Sequence, residues 1–102
     1  MPVYVLLSTL TDQGRKTVSA RPERIKEVDQ EIEAMGVKVL YQYVVMGPYD
    51  FVNIVEAKDN ETVFKMSLAL GSRGTVQIMS MAAMAVEDFI ASIRGYSRES
   101  LH

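Results

Sequence analysis

The chain has 102 residues, 48% of them hydrophobic and 24% charged, a balance that fits one folded domain and leaves no room for two separate cores. Its 11 Lys+Arg against 13 Asp+Glu give a formal charge of −2, which argues against a basic surface for nucleic acid. Cysteine is absent, so disulfides, thiolate zinc sites and a cysteine nucleophile are excluded.

The opening segment, "MPVYVLLSTLTDQGRK", has a short apolar run with no basic region ahead of it and reads as a strand, not as a signal peptide or a membrane span. Val3, Val5 and Leu7 alternate there with Tyr4, Leu6 and Ser8. Thr11 is placed to cap a helix whose first turn holds Asp12 and Gln13, and Pro22 suits a first helical turn because it has no N–H to leave unsatisfied. From there Ile25, Val28, Ile32 and Met35 form one apolar stripe against a charged opposite face, an amphipathic helix that Gly36 stops. Residues 37–46 and 51–57 are β-branched and aromatic, and the short break Gly47-Pro48-Tyr49-Asp50 between them predicts an antiparallel hairpin. A second helix follows, with Asp59 and Asn60 as capping candidates and glycines 71 and 74 at its exit. Residues 76–84 form a fourth strand, and "AVEDFIASIRGY" allows a short closing helix.

This order, β-α-β-β-α-β, predicts an α+β, ferredoxin-like fold: a four-stranded antiparallel sheet with two helices on one face. Residues 1–95 make a single domain, and 96–102 a loose C-terminal tail. Val3, Val5, Leu7, Val52 and Ile54 are aliphatic and are expected to face the helices. The opposite parity carries Tyr4, Leu6, Phe51, Asn53, Val55, Gln77, Met79 and Met81, too apolar to face water, while Tyr41 and Tyr43 leave the second strand ambiguous against Leu40, Gln42 and Val44. A sheet apolar on both faces needs a second cover, and a second copy of the chain supplies it in a homodimeric α+β barrel, with room for higher assembly.

At Gly47-Pro48-Tyr49-Asp50 the sequence resembles the GYD-domain family, named for a Gly-Tyr-Asp signature between its second and third strands; here Pro48 interrupts the signature. "YVLLSTLTDQGRKT", "RPERIKEVDQEIEAMGVKV", "YDFVNIVEA" and "ALGSRGTV" extend the resemblance over about residues 2 to 90. It implies a dimeric α+β barrel and no particular activity. "MGPYDFVNIVEA" is also similar to the effector-binding domain of the leucine-responsive and asparagine-responsive regulators, without their helix-turn-helix. More distantly, the fold looks like that of small cofactor-free monooxygenases.

Tyr4, Ser8, Gln42, Tyr49, Asp50, Asn53 and Gln77 are the ligand-binding candidates: polar handles among methionines and aromatics, with the pocket expected at the sheet–sheet dimer interface. Their alternative role is structural pairing, and the Gly-Pro-Tyr-Asp stretch reads first as a hairpin turn. No metal site or cofactor is expected, since no Cys or internal His joins the helical carboxylates and His102, the only histidine, is the last residue. "GSRG" follows a helix, so it reads as a stop and not a phosphate loop, and "NET" reads as helix capping. The expected function is a cytoplasmic module that binds or senses a small molecule, with neither nucleic acid nor membrane as partner. A cofactor-free enzyme using Tyr4, Asn53 and Asp50 is one alternative, although its catalytic equipment is thin, and a structural or interaction dimer is another.

Overall fold

The computed structural model describes residues 1–95; the expected tail, 96–102, and His102 with it, lie outside the described residues. Strand β1 (Val3–Leu10) is followed by helices α1 (Asp12–Ala20) and α2 (Arg24–Ala34), the hairpin β2 (Lys38–Val44) and β3 (Phe51–Glu56), helix α3 (Asn60–Gly71), strand β4 (Val76–Ala83) and helix α4 (Val86–Ile93). The four strands form one antiparallel sheet in the order β2-β3-β1-β4, the ferredoxin-like α+β arrangement.

Local chemistry explains the element ends. Thr11 caps α1, its hydroxyl oxygen accepting the Gly14 N–H at 3.1 Å. Asp59 caps α3, accepting both the Thr62 N–H at 2.9 Å and the Thr62 hydroxyl at 2.7 Å, so of the two candidates Asp59 is the cap and Asn60 the first helical residue. The Thr62 hydroxyl, then the Thr62 N–H, hold the Asp59 carboxyl below its ordinary pKa by favouring its charged form.

The sheet faces are the reverse of the expected assignment. Tyr4, Leu6, Ser8, Phe51 and Val55 are buried beneath the helices, packing with Ile32, Val37, Val63, Met66 and Leu70. Val3, Val5, Leu7, Val52 and Ile54 are only half-buried and line the open face. Gln77, Met79 and Met81 lie opposite Thr9, Leu7 and Val5, so they share the open face and are separated from Tyr4 and Asn53. The physical reason is that both parities of β1 and β3 are apolar, so alternation does not say which one meets the helices; the larger side chains fill the space beneath them. The Tyr4 hydroxyl is satisfied there by donating to Asn60 Oδ1 at 2.6 Å.

On the open face Tyr41 and Tyr43 remain 60% and 58% exposed. Helix α4 presents Val86, Phe89, Ile90 and Ile93, a stripe of helical spacing, and all four are exposed. The molecule is elongated, 54 × 29 × 19 Å with a radius of gyration of 15.9 Å. A compact chain of this length has about 13 Å.

The helix layer is pinned to the sheet where α1 begins. The Thr11 N–H donates to the Thr75 carbonyl at 3.0 Å and the Thr11 hydroxyl to the Gly74 carbonyl at 2.7 Å. Gly14 lies in the same junction, where a Cβ would fall 2.0 Å from the Thr75 carbonyl oxygen. Replacing an interior helical glycine by alanine ordinarily stabilises by about 1 kcal/mol. Here the clash reverses the sign, and Gly14→Ala is expected to destabilise by about 2 kcal/mol or more. A urea melt in which Gly14→Ala matches or exceeds wild type would show that the junction does not constrain the fold.

Candidate functional site

The helix-facing side of the sheet carries three polar residues in its middle. Ser8 on β1 is buried, Asn53 on β3 lies between Leu6 and Gln42 in the cross-strand register, and Gln42 is on β2. A bulge between Val39 and Tyr41 lets both Val39 and Gln42 face the helices, pairing with Val55 and Asn53, while Tyr41 and Tyr43 face the other way. This resolves the ambiguous strand.

Above these residues lies a cavity of about 250 Å³. Its floor includes Leu6, Ser8, Phe51, Asn53 and Ile78 from the sheet, and its roof Val18, Ile25, Val28 and Ile32 from α1 and α2. Ser8, Gln42 and Asn53 are therefore brought together within one chain. Gln42 is committed to the roof: its Nε2 donates to Asp29 Oδ1 at 2.8 Å and its Oε1 accepts from Lys26 Nζ at 3.3 Å. Asn53 Oδ1 is buried and accepts no hydrogen bond from the described residues.

The other candidates lie elsewhere. Tyr4 is in the core on Asn60, and Gln77 is exposed on the open face. Tyr49 stands over the open face, its hydroxyl 3.9 Å from the Met79 sulfur. Asp50 latches the hairpin to β1. Its N–H donates to the Ser8 carbonyl at 2.8 Å, its carbonyl accepts the Val45 N–H at 2.9 Å, and its Oδ2 accepts the Leu10 N–H at 2.8 Å. Gly47 turns the chain into this latch with φ +125°, a conformation other residues rarely adopt. The stretch is built as a turn and strand lock.

At the cavity rim, Glu31 on α2 accepts from Arg73, which follows α3, and from Arg24 at 2.8 Å. Arg24 also reaches Glu27 at 3.4 Å. The Arg73 guanidinium, then that of Arg24, hold the Glu31 carboxyl below its ordinary pKa, and Glu31 in turn raises that of Arg24. This clasp was not anticipated from the sequence. The apolar stripe of α2 was visible, but Glu31 and Arg73 are far apart in sequence and only the folded chain joins them. Among the described residues no group of three or more His, Cys, Asp or Glu could hold a metal ion, and no helix is long and apolar enough to cross a membrane.

A ferredoxin-like sheet roofed on one side, with a cavity beneath the roof, places the chain in the α+β class. The family model of the GYD domain matches residues 4–93, and the chain belongs to that family. A protein of Thermus thermophilus, named "Glutamine synthetase and cystathionine beta-lyase binding protein", is 54% identical over 95 residues, covering 92% of this chain and 100% of that protein. The crystal structure of TTHA0845, also from Thermus thermophilus, is similar in fold, with a TM-score of 0.52 at 23% identity over 82% of this chain and 94% of that one.

Removing the Asp50 carboxylate leaves the Leu10 N–H without its acceptor, so Asp50→Ala is expected to destabilise by about 1–2 kcal/mol. Asp50→Asn keeps an acceptor and should recover most of the loss in thermal melts. Equal loss in both variants would mean that the hydrogen bond is not what holds the latch.

Because the folded-state pKa of Glu31 is depressed, its contribution is present above an ordinary glutamate's 4.5 and is lost as pH falls through the lower folded value. Wild type should therefore exceed Glu31→Gln in melting temperature at neutral pH, and the gap should close as the pH is lowered below 4.5. A gap that stays constant across this range would show that the carboxylate's charge is not what the clasp depends on.

Proposed function

We propose that this chain is a non-catalytic binding module that docks onto enzymes of amino-acid metabolism, with glutamine synthetase and cystathionine β-lyase as the first candidates. The observation that carries this is the 54% identity, over all of the relative's length, to a protein named for binding those two enzymes. The geometry supports it in two ways. The charged groups at the cavity rim are engaged with one another, and none stands free as a base. The exposed apolar surface is large for so small a chain: Tyr41, Tyr43, Met79 and Met81 on the sheet, and the α4 stripe.

In this reading the open sheet face joins two copies into the α+β barrel, and docking to a partner enzyme uses what the homodimer leaves exposed. The module acts in the cytoplasm, alongside metabolic enzymes. A second reading, uptake of a small molecule, is favoured by the cavity and its unsatisfied Asn53 oxygen. That cavity belongs to a single chain, whereas the pocket expected between two sheets needs a pair.

Size-exclusion chromatography with light scattering, run on the protein alone and then mixed with each enzyme from its own source organism, tests the proposal. The expected result is a dimer that co-elutes with at least one enzyme at micromolar concentration, and a Tyr43→Asp/Met79→Asp variant that runs as a folded monomer. Absence of a complex with either enzyme would overturn the partner assignment. A monomeric wild type would overturn the role of the open face.

A further inference from the structure

We propose that the cavity between the α1–α2 roof and the sheet binds an uncharged, mostly apolar molecule of one ring with a short substituent, which donates one hydroxyl or ring N–H hydrogen to Asn53 Oδ1. The proposal rests on reading the cavity as a ligand site, and it adds the chemistry of what enters.

Size comes first. An apolar cavity of about 150 Å³ admits benzene. At about 250 Å³, this one has space for a ring and a few further atoms. The walls come next: Leu6, Val28, Ile32, Phe51 and Ile78 offer only carbon surface, so most of the ligand must be apolar.

Charge is decided by the rim. Arg24 and Arg73 line the cavity, but both are engaged by Glu31. Asp29 also lines it and is held by Gln42 and by Lys26 at 3.6 Å. A carboxylate or ammonium ligand would have to displace one of these pairs and be desolvated as well, whereas a neutral one leaves them in place.

Polarity is decided by Asn53. Asn53 lines the cavity from a central strand, and its Oδ1 is buried with no donor from the described residues. A buried amide oxygen without a partner is costly, and an oxygen can only accept, so its complement is a donor on the ligand. Gln42, its cross-strand neighbour, is already engaged at both ends of its amide and does not compete.

The test is an NMR titration of the isotope-labelled full chain with three probes of one skeleton: para-ethylphenol, ethylbenzene and para-ethylbenzoate, followed at Asn53, Val28 and Ile78. The expected order is para-ethylphenol tightest, ethylbenzene roughly tenfold weaker, the factor worth about one net hydrogen bond, and para-ethylbenzoate weakest. Asn53→Leu should bind ethylbenzene as before and lose the preference for the phenol. Ile78→Phe, which fills the cavity, should abolish the phenol shifts. If para-ethylbenzoate binds tightest, or Asn53→Leu keeps the phenol preference, the assigned chemistry is wrong although the cavity takes ligands. If none of the probes perturbs the three residues, or phenol binding survives Ile78→Phe, the cavity is not the site.

Discussion

The structure depends on one constraint: a sheet whose strands are apolar on both faces is covered by helices on one face only. The helix side takes the largest buried groups, Tyr4, Phe51, Val55 and Met66 among them, and so becomes the core. The other side keeps Val3, Val5, Leu7, Val52 and Ile54 half-exposed, with Tyr41, Tyr43, Met79 and Met81 around them. These side chains form an apolar surface that no helix among the described residues covers. The strand pattern that builds the core thus also creates a second apolar surface that the described residues leave uncovered.

The helix side is less completely filled than its burial implies. The roof is fixed at three places: the Thr11–Gly14–Thr75 junction, where helix and loop backbones approach too closely for any side chain, the Arg24–Glu31–Arg73 clasp, and the bonds of Gln42 to Asp29 and Lys26. Between them α1 and α2 bridge the sheet without collapsing on it, and the cavity is the space left. Close packing would bring Val28 and Ile32 down onto Asn53 and bury a polar group under carbon. Held at a distance, the same residues form a wall.

Much of this was legible in the sequence. Element order, the caps at Thr11 and Asp59, the stop at Gly36 and the turn at Gly47 all follow from short-range chemistry, and short-range chemistry is what a sequence displays. Face assignment was not legible, because it depends on which of two apolar parities a helix covers. The clue that settles it is Tyr4 reaching Asn60, a contact between residues 56 positions apart. Strand β2 concealed its phase for another reason: the bulge at Leu40 shifts the alternation, so the tyrosines and Gln42 cannot be sorted by counting in twos. Among the ligand candidates, Ser8, Gln42 and Asn53 lie on strands β1, β2 and β3. Their convergence under α2 needed the correct parity and the bulge together.

The polar residues of this chain then sort by whether the fold itself accounts for them. Tyr4, Asp50 and Gln42 each have a named protein partner. Asn53 Oδ1 has none, at the centre of the sheet where an aliphatic side chain would fit the surrounding walls. The apolar outer surface poses the same kind of question on a larger scale, since Tyr41, Tyr43 and the α4 stripe also lack cover within the chain. In the proposed readings, a small donor-bearing molecule answers the first and protein surfaces the second. The cavity floor and the uncovered tyrosines and methionines lie on opposite faces of the sheet.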